Sequence, residues 1–534
     1  MEAQTFYVKF ELYIFNNHQN MRKLFVGLSL LTFLVADAQK KTNPSTFGKS
    51  ITADDLKRHL YIIAGPEMEG RNTPSPGLER AATYIENQFK SFGLLPGNNG
   101  SYRQFYPLYK DSVTGSSLKV NGTSFASNTD YQVNAMTSYN ASLRLGEAVF
   151  VGYGIVDGDV WNDYKDVNVA GKAVIIANGS PASYKPSTTG FASPANLNAK
   201  IRNAQAKGAV AVFVVADNFP RKPIVSAGGY QLNGYAASVY PQVINISEKV
   251  AAQIIGADGE GILAKLKAGN APSKAYKAKI DFAVAKVTKE EQVSNVIGIV
   301  EGTDKKDEYV VVTAHYDHDG VRADGVIFYG ADDDGSGTVS VIEMAEAFAK
   351  AKAAGKGPRR TMVFMTVSGE EKGLWGSEYY GENPVFPLDK TSVNLNIDMI
   401  GRIGDEYNVK AKDKDSTNYV YIIGDDKLST DLAPFTDRAN KNVKLKLDRR
   451  YNDINDRNRF YYRSDHYNFA KHGVPAIFYF NGVHADYHKV TDTPDKINYP
   501  LMAKRAQLVF YTAWEIANSD EMMKRDLKLE IPGR

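Results

Sequence analysis

Asp332, Asp333 and Asp334 stand side by side in GADDDGSG, residues 330–337, where flanking glycines announce a tight turn. Asp and Gly suit turns through local hydrogen bonds and tolerance of positive φ, so the stretch taken alone reads as a solvated turn. Its neighbours change that reading. Apolar runs in the second half of the chain end, one after another, in groups able to bind a cation. YVVVTA runs into His315, Tyr316 and Asp317; TMVFMTV gives way to Glu370 and Glu371; VNLNI ends at Asp398; VPAIFYF leads to His484, Asp486 and His488. Any one of these alone is ordinarily a surface or hydrogen-bonded residue. Together they place more carboxylates at one rim than packing would ask for, because burying an unpaired charge is costly. A bound cation removes the repulsion. Histidines with several carboxylates suit zinc or a related first-row ion, whereas calcium prefers about six to eight oxygen ligands. With one Asp bridging two ions, each keeps about three protein ligands and an open position, as in hydrolytic two-metal sites. Glu370 then stands beside a metal ligand, placed to take a proton from water.

The elements that must position these groups are legible as texture. From Val293 onward, apolar strands (VSNVIGIVEG, YVVVTAHYDHDG, RRTMVFMTVSGEEKG, VNLNIDMIG, GVPAIFYFNG) alternate with helical stretches such as GTVSVIEMAEAFAKAKAA. That alternation predicts an α/β fold, a mainly parallel sheet covered by helices on both faces. In such sheets ligands bind beyond the carboxyl ends of the strands, where the acids and histidines fall. Upstream, Leu56, Leu60 and Ile63 recur at helical spacing behind Thr52, a candidate N-cap, and GLERAATYIENQFKSFGL forms a second helix closed by Gly93. From about Gly146 short β-branched strands with one helix predict an insert, residues 135–285, with its own small, mostly-β core. Residues 39–134 and 286–534 are then the two parts of one main domain.

Of the 534 residues 43% are hydrophobic and 23% charged, an ordinary globular composition. Lys plus Arg is 64 and Asp plus Glu 61, a net charge of +3, which provides no field for nucleic acid or acidic membranes. There is no cysteine, so disulfides, thiolate-held metals and a cysteine nucleophile are excluded. Met21-Arg22-Lys23, the run LFVGLSLLTFLV and Ala36-Asp37-Ala38 describe a secretory signal peptide over residues 21–38, with Met21 a candidate start and a mature exported chain from near Gln39. The run is too short for a comfortable membrane span, and no other stretch reaches about 18 uninterrupted apolar residues.

AHYDH, GADDDGSG, SGEEKGLWGS, NIDMIG and YHKVTDT occur in the order and context of the di-zinc aminopeptidases, the family of the secreted bacterial leucyl aminopeptidases and aminopeptidase Y. The chain resembles that family over roughly residues 286–520, and LKRHLYIIAGPEMEGRNTPSPGLERAATYI resembles its leading segment. The resemblance implies two Zn2+ ions bridged by Asp333, with His315 and Asp398 completing the ligands of one and Glu371 and His488 those of the other. It implies Glu370 as general base in amide hydrolysis, Asp317 as the carboxylate that fixes the ring of His315, and Asp332 and Asp334 outside the ligand set. Peptides with a free N-terminus would be the substrates. A tyrosine near Ser464-Asp465-His466 would add a hydrogen bond to the reacting carbonyl; Tyr461 fits by offset, and Tyr487 beside His488 is a second candidate. VGYGI, WNDYKDVNVAGKAVII and KIRNAQAKGAVAVFVV are similar to a protease-associated domain, which implies access control or substrate positioning. On the same scaffold a carboxypeptidase for acidic C-terminal residues would need basic groups, and Arg402, Arg459 and Arg463 lie near the motifs. A glutaminyl cyclase would work with one zinc, and a receptor-like relative would have lost ligands; the full ligand set and Glu370 argue against both. No GxSxG elbow or P-loop is present.

Overall fold

Thr52 accepts the Asp55 N–H at 3.1 Å and starts α1 (Ala53–Ile63), whose Leu56, Leu60 and Ile63 are buried as their spacing requires. Ser75 does the same for Leu78 at the start of α2 (Pro76–Ser91), where Pro76 lacks only an N–H the first turn would leave unpaired. The computed structural model that shows these elements describes residues 43–530, apart from 136, 217–218, 220–226, 235–238, 269–272 and 409–416. The expected signal peptide lies outside the described residues.

The chain forms two units, one of the described residues up to Arg103 with Asn295–Leu529, the other of Gln104–Ser294. The larger unit is built on β1 (Lys274–Val300, of which Val296–Val300 pairs here), β2 (Lys305–His315), β3 (Arg360–Val367), β4 (Thr391–Ile397), β5 (Tyr419–Ile423) and β6 (Ala476–Phe480). Its strand order is Lys446–Asp448, β5, β6, β4, β2, β3, β1, Leu95–Pro96. The four central strands β6, β4, β2 and β3 are mutually parallel, and the outer pairings of β5 on β6 and β1 on β3 are antiparallel. Every residue of β3, β4, β5 and β6 is buried, which explains why these strands read as continuous apolar runs rather than alternating ones. Two long helices, α3 (Gly337–Ala353) and α4 (Tyr499–Ala517), are mostly buried too; Phe348 of α3 packs its ring 4.8 Å from that of Phe510 in α4. The fold is the mainly parallel α/β arrangement that the sequence predicts.

The second unit carries its own sheet, in which Ala141–Phe150 pairs antiparallel with β1 residues and parallel with Ala173–Ala177, followed in parallel by Ala211–Val215 and Gln242–Ile246. Alternate residues serve opposite faces: Ile175 and Phe213 join one apolar cluster, Val174, Ile176, Val212 and Val214 another. The unit also takes in most of the strand Arg103–Val120 and the short strand Tyr131–Val133.

Candidate metal centre

The parallel strands β2, β3, β4 and β6 all point their carboxyl ends to one edge, and the chain emerging there supplies the site. β2 closes on His315, Glu370 and Glu371 form a single short turn after β3, Asp398 follows β4 directly, and His488 lies on the loop after β6.

The acidic turn sits between β2 and α3, and hydrogen bonds sort its three carboxylates. Asp332 takes the Gly401 N–H on Oδ1 at 2.6 Å and faces His484 Nε2 with Oδ2 at 3.0 Å. Asp334 accepts Gly337 N–H at 2.8 Å and Met399 N–H at 3.1 Å on one oxygen and His315 N–H at 3.1 Å on the other. Asp333 has no such backbone duty for its side chain. Its Oδ1 lies 3.3 Å from His315 Nε2 and its Oδ2 3.0 Å from His488 Nε2, one oxygen toward each imidazole. The flanking glycines are required by contact. A Cβ on Gly337 would strike the Asp334 carboxylate, and one on Gly330, which has φ +56°, would strike the His318 ring and the Asp333 carbonyl.

Around Asp333 the remaining expected groups close in. Asp398 Oδ1 is 3.7 Å and Glu370 Oε2 3.8 Å from His315 Nε2, and Glu371 Oε2 is 3.2 Å from His488 Nε2. Ligand atoms of His315, Asp334 and Asp398 fall within 4.8 Å of one another, as do those of Asp319, Glu371 and His488. We assign Asp334 to the support of the first group rather than to a cation, because both of its oxygens already accept backbone N–H groups. His315 Nδ1 is held by the Asp317 carbonyl at 3.2 Å, with that residue's carboxylate 3.6 Å away. The Asp317 carboxylate also accepts the Glu370 N–H at 3.1 Å and the Thr73 hydroxyl at 3.0 Å, so it orients ring and base together. Asp398 is steadied from behind by the Ser464 hydroxyl at 2.7 Å.

The electrostatics are those of a site built for cations. Burial pushes the Glu370 carboxyl well above its usual range, with Glu371 and Asp398 adding to it, and burial with Asp333 does the same to Glu371. Burial opposes a charged His315, yet Glu370 and Asp398 outweigh it and raise the imidazole well above normal. His488 is raised to about 9, against burial, by Asp333 and Glu371. His315 Nε2 and Asp333 Oδ2 are buried and make no well-formed hydrogen bond among the described residues, only the close imidazole–carboxylate approaches at 3.3 and 3.0 Å. A donor set of imidazole and carboxylate with these buried atoms fits zinc.

Several neighbours lie inside the motifs or the leading segment without having been assigned a role from sequence. His318 is buried and its Nδ1 shares a hydrogen bond with Glu371 Oε1 at 2.8 Å; burial lowers the imidazole to about 4. Asp492 accepts the N–H groups of Asp332 and Asp333 at 2.9 and 3.2 Å and pins the turn from below. The Arg71 guanidinium donates to four carbonyls, those of Ile63, Tyr316, Tyr329 and Gly330, at 2.7–2.9 Å. Their common signal is position inside motifs or the leading segment, but the partner of each is distant in sequence.

Of the loop after β6, only His488 reaches the clusters. His484 serves Asp332, and Asp486 pairs with Arg402 and Lys496, both at 2.8 Å. The cavity over the site is lined by Asp333, Glu370, Asp398, Arg463 and Tyr487 together with an apolar wall that includes Phe460, Phe478 and Phe480. Tyr461 is not on it. Its ring packs against Tyr462 and His466 and lines a separate hollow with Tyr451 and Asn452, so the tyrosine that lines the cavity with Glu370 is Tyr487. Arg459 borders that second hollow as well, which leaves Arg463 as the arginine of the site cavity.

Residues 295–513 match the model of the peptidase family M28. A protein of Pyrenophora tritici-repentis named probable zinc metalloprotease is 27% identical over 270 residues, which cover 43% of this chain and 53% of that one. A probable glutamate carboxypeptidase of Zea mays is 25% identical over 367 residues, covering 63% of this chain and 48% of that one. The chain thus spans about half the length of these relatives. Among solved structures, the aminopeptidase from Aneurinibacillus sp. strain AM-1 shares the fold with a TM-score of 0.51 at 21% identity, over 92% of this chain and 99% of that one.

Proposed function

The chain belongs to peptidase family M28, and we propose that it is an exported aminopeptidase that holds two zinc ions and removes N-terminal residues from peptides. One observation carries the reading: Asp333 offers one oxygen toward His315 and the other toward His488, with Glu370 beside the gap and free of any backbone duty. His315, Asp333 and Asp398 would hold one ion and Asp333, Glu371 and His488 the other. When bound, the ions supply Lewis-acid polarisation of a carbonyl and acidify water.

The protein's own groups do the rest. Glu370, kept in place by Asp317 through its N–H, takes a proton from the attacking water and passes it to the departing amine. Its burial helps, since a carboxyl raised above its usual range returns a proton more readily than an exposed one. The Tyr487 hydroxyl, on the same cavity, is placed to hydrogen-bond the developing oxyanion, and the aromatic wall excludes water and receives the N-terminal side chain. The maize relative's name and Arg463 favour a second reading, a carboxypeptidase acting on blocked peptides.

A panel of aminoacyl-nitroanilides and N-acetylated peptides separates the two. Turnover of free but not blocked N-termini is expected, and must vanish on chelation and return with zinc. Hydrolysis confined to blocked peptides would sink the aminopeptidase claim. Glu370→Gln should retain zinc while kcat drops by roughly 10²–10⁴, the usual worth of a general base. Loss of metal in that variant would reassign Glu370 as a ligand.

A further inference from the structure

Arg463 is a cation placed at an acidic cavity with no acid of its own. Arg402, Arg449 and Arg450 are each tied to carboxylates, at 2.8, 2.7 and 2.5 Å. Arg463 is exposed, rests its guanidinium 5.2 Å from the centre of the Phe460 ring, and reaches only the Tyr487 hydroxyl, at 3.4 Å; no carboxylate pairs with it among the described residues. Phe460 and Tyr487 belong to the lining themselves, so the guanidinium is held on the wall of the same hollow that Glu370, Asp333 and Asp398 line. The lining is therefore divided by chemistry into a metal-binding acidic part, an apolar wall of Met399, Phe478, Phe480 and Val483, and one guanidinium.

That division matches the chemistry of a short peptide. The reacting amide belongs with the acids and their ions, and the first side chain with the apolar wall. What remains for a lone guanidinium is a carboxylate, which its planar fork grips bidentately where a lysine would offer a point charge. In a dipeptide the carboxylate follows the scissile bond by one residue, about 3.5 Å of chain. We propose that Arg463 binds the C-terminal carboxylate of the substrate, so that the enzyme prefers dipeptides to amide-capped or longer peptides. The proposal rests on the aminopeptidase reading given above.

The test compares Leu-Gly with Leu-Gly-amide on the zinc-loaded full chain, by kcat/KM where either is cleaved and by titration calorimetry where neither is. The free acid should be favoured by about ten-fold or more, mainly through KM or Kd, as expected of a charge-assisted contact. Arg463→Met should bring the ratio of the two substrates to about one, and Arg463→Lys should restore part of it. Equal values for acid and amide in the unaltered protein, or a preference for the acid that survives in Arg463→Met, would overturn the proposal. Absence of cleavage with an Arg463-dependent preference in binding would instead overturn the hydrolytic reading and leave the carboxylate site standing.

Discussion

Asp332, Asp333 and Asp334 are chemically identical and adjacent, and what separates them is what already occupies their oxygens. Asp332 serves two donors, the Gly401 N–H and His484 Nε2, whose ring accepts the Asp486 N–H on Nδ1, so an asparagine keeps one of these contacts and gives up the other without touching the imidazoles that Asp333 faces. Asp333 has two oxygens turned toward two different imidazoles, and an asparagine there forfeits one of them together with the charge. Asp333→Asn is therefore expected to lose both zinc ions, measured as bound metal per chain, and Asp332→Asn to keep them; equal loss in both would refute the assignment of the bridge. The sequence reading treats Asp334 like Asp332, and the structure separates them. Three backbone N–H groups converge on the Asp334 carboxylate, from His315, Gly337 and Met399, so an amide in its place would set donor against donor. Asp334→Asn should cost about 1–3 kcal/mol of stability, the range for leaving buried polar groups unsatisfied. Weakened zinc binding should accompany it, because the backbone of His315 and of the residue after Asp398 shifts with it.

At the scale of elements, the site is where loops meet strands, and the loop before α2 is as much part of it as the strand ends. Arg71 is buried, held at positive φ (52°), and ties the end of α1, the Tyr316 carbonyl just past β2 and the start of the acidic turn into one node through four carbonyls. Burial brings its pKa down to about 10, which leaves it charged at neutral pH. Arg71→Met should lower the unfolding free energy by about 3 kcal/mol or more, because several buried carbonyls lose their donor at once. Chemical denaturation checks the size; a loss under about 1 kcal/mol would mean that water replaces the guanidinium freely. Nothing in EMEGRNTPSPG distinguishes this arginine from a solvated loop residue, since all four of its acceptors except Ile63 are more than two hundred residues away. The same limit hides His318 and Asp492. Strand ends, by contrast, are legible because a continuous apolar run names the strand and the next polar residue is delivered by geometry, as with His315 and Asp398. Tyr461 and Tyr487 fall between these cases. Both lie near a motif, and only the packing of Tyr461 against Tyr462 and His466 shows which one the cavity receives.

For the molecule as a whole, the two units divide the chemistry unequally. His315, Asp333, Glu371, Asp398, His488 and the groups that hold them all belong to the larger unit, whereas residues 104–294 supply a sheet with an apolar cluster on each face and none of these residues. The strand Arg103–Val120 at the head of the second unit mixes buried, half-buried and exposed positions without an uninterrupted apolar run, so the texture that marks the expected insert from about Gly146 carries no sign of it. A ligand that binds only the folded state adds RT ln(1 + [L]/Kd) to stability, about 4 kcal/mol at a thousand-fold excess over Kd. That gain belongs to the unit that folds the site. Glu370, Glu371, Asp333 and Asp398 crowd at the strand ends, and ions bound there would offset the repulsion of their charges. Chelation should therefore speed amide hydrogen exchange around 315–318, 330–337, 369–371 and 398–401, while Ala173–Ala177 and Ala211–Val215 keep their protection. Zinc should reverse the change. Exchange that accelerates equally in both units would show that the metals stabilise the chain globally, and no acceleration at the turn would show that the metals are not needed to hold Asp333 between its histidines.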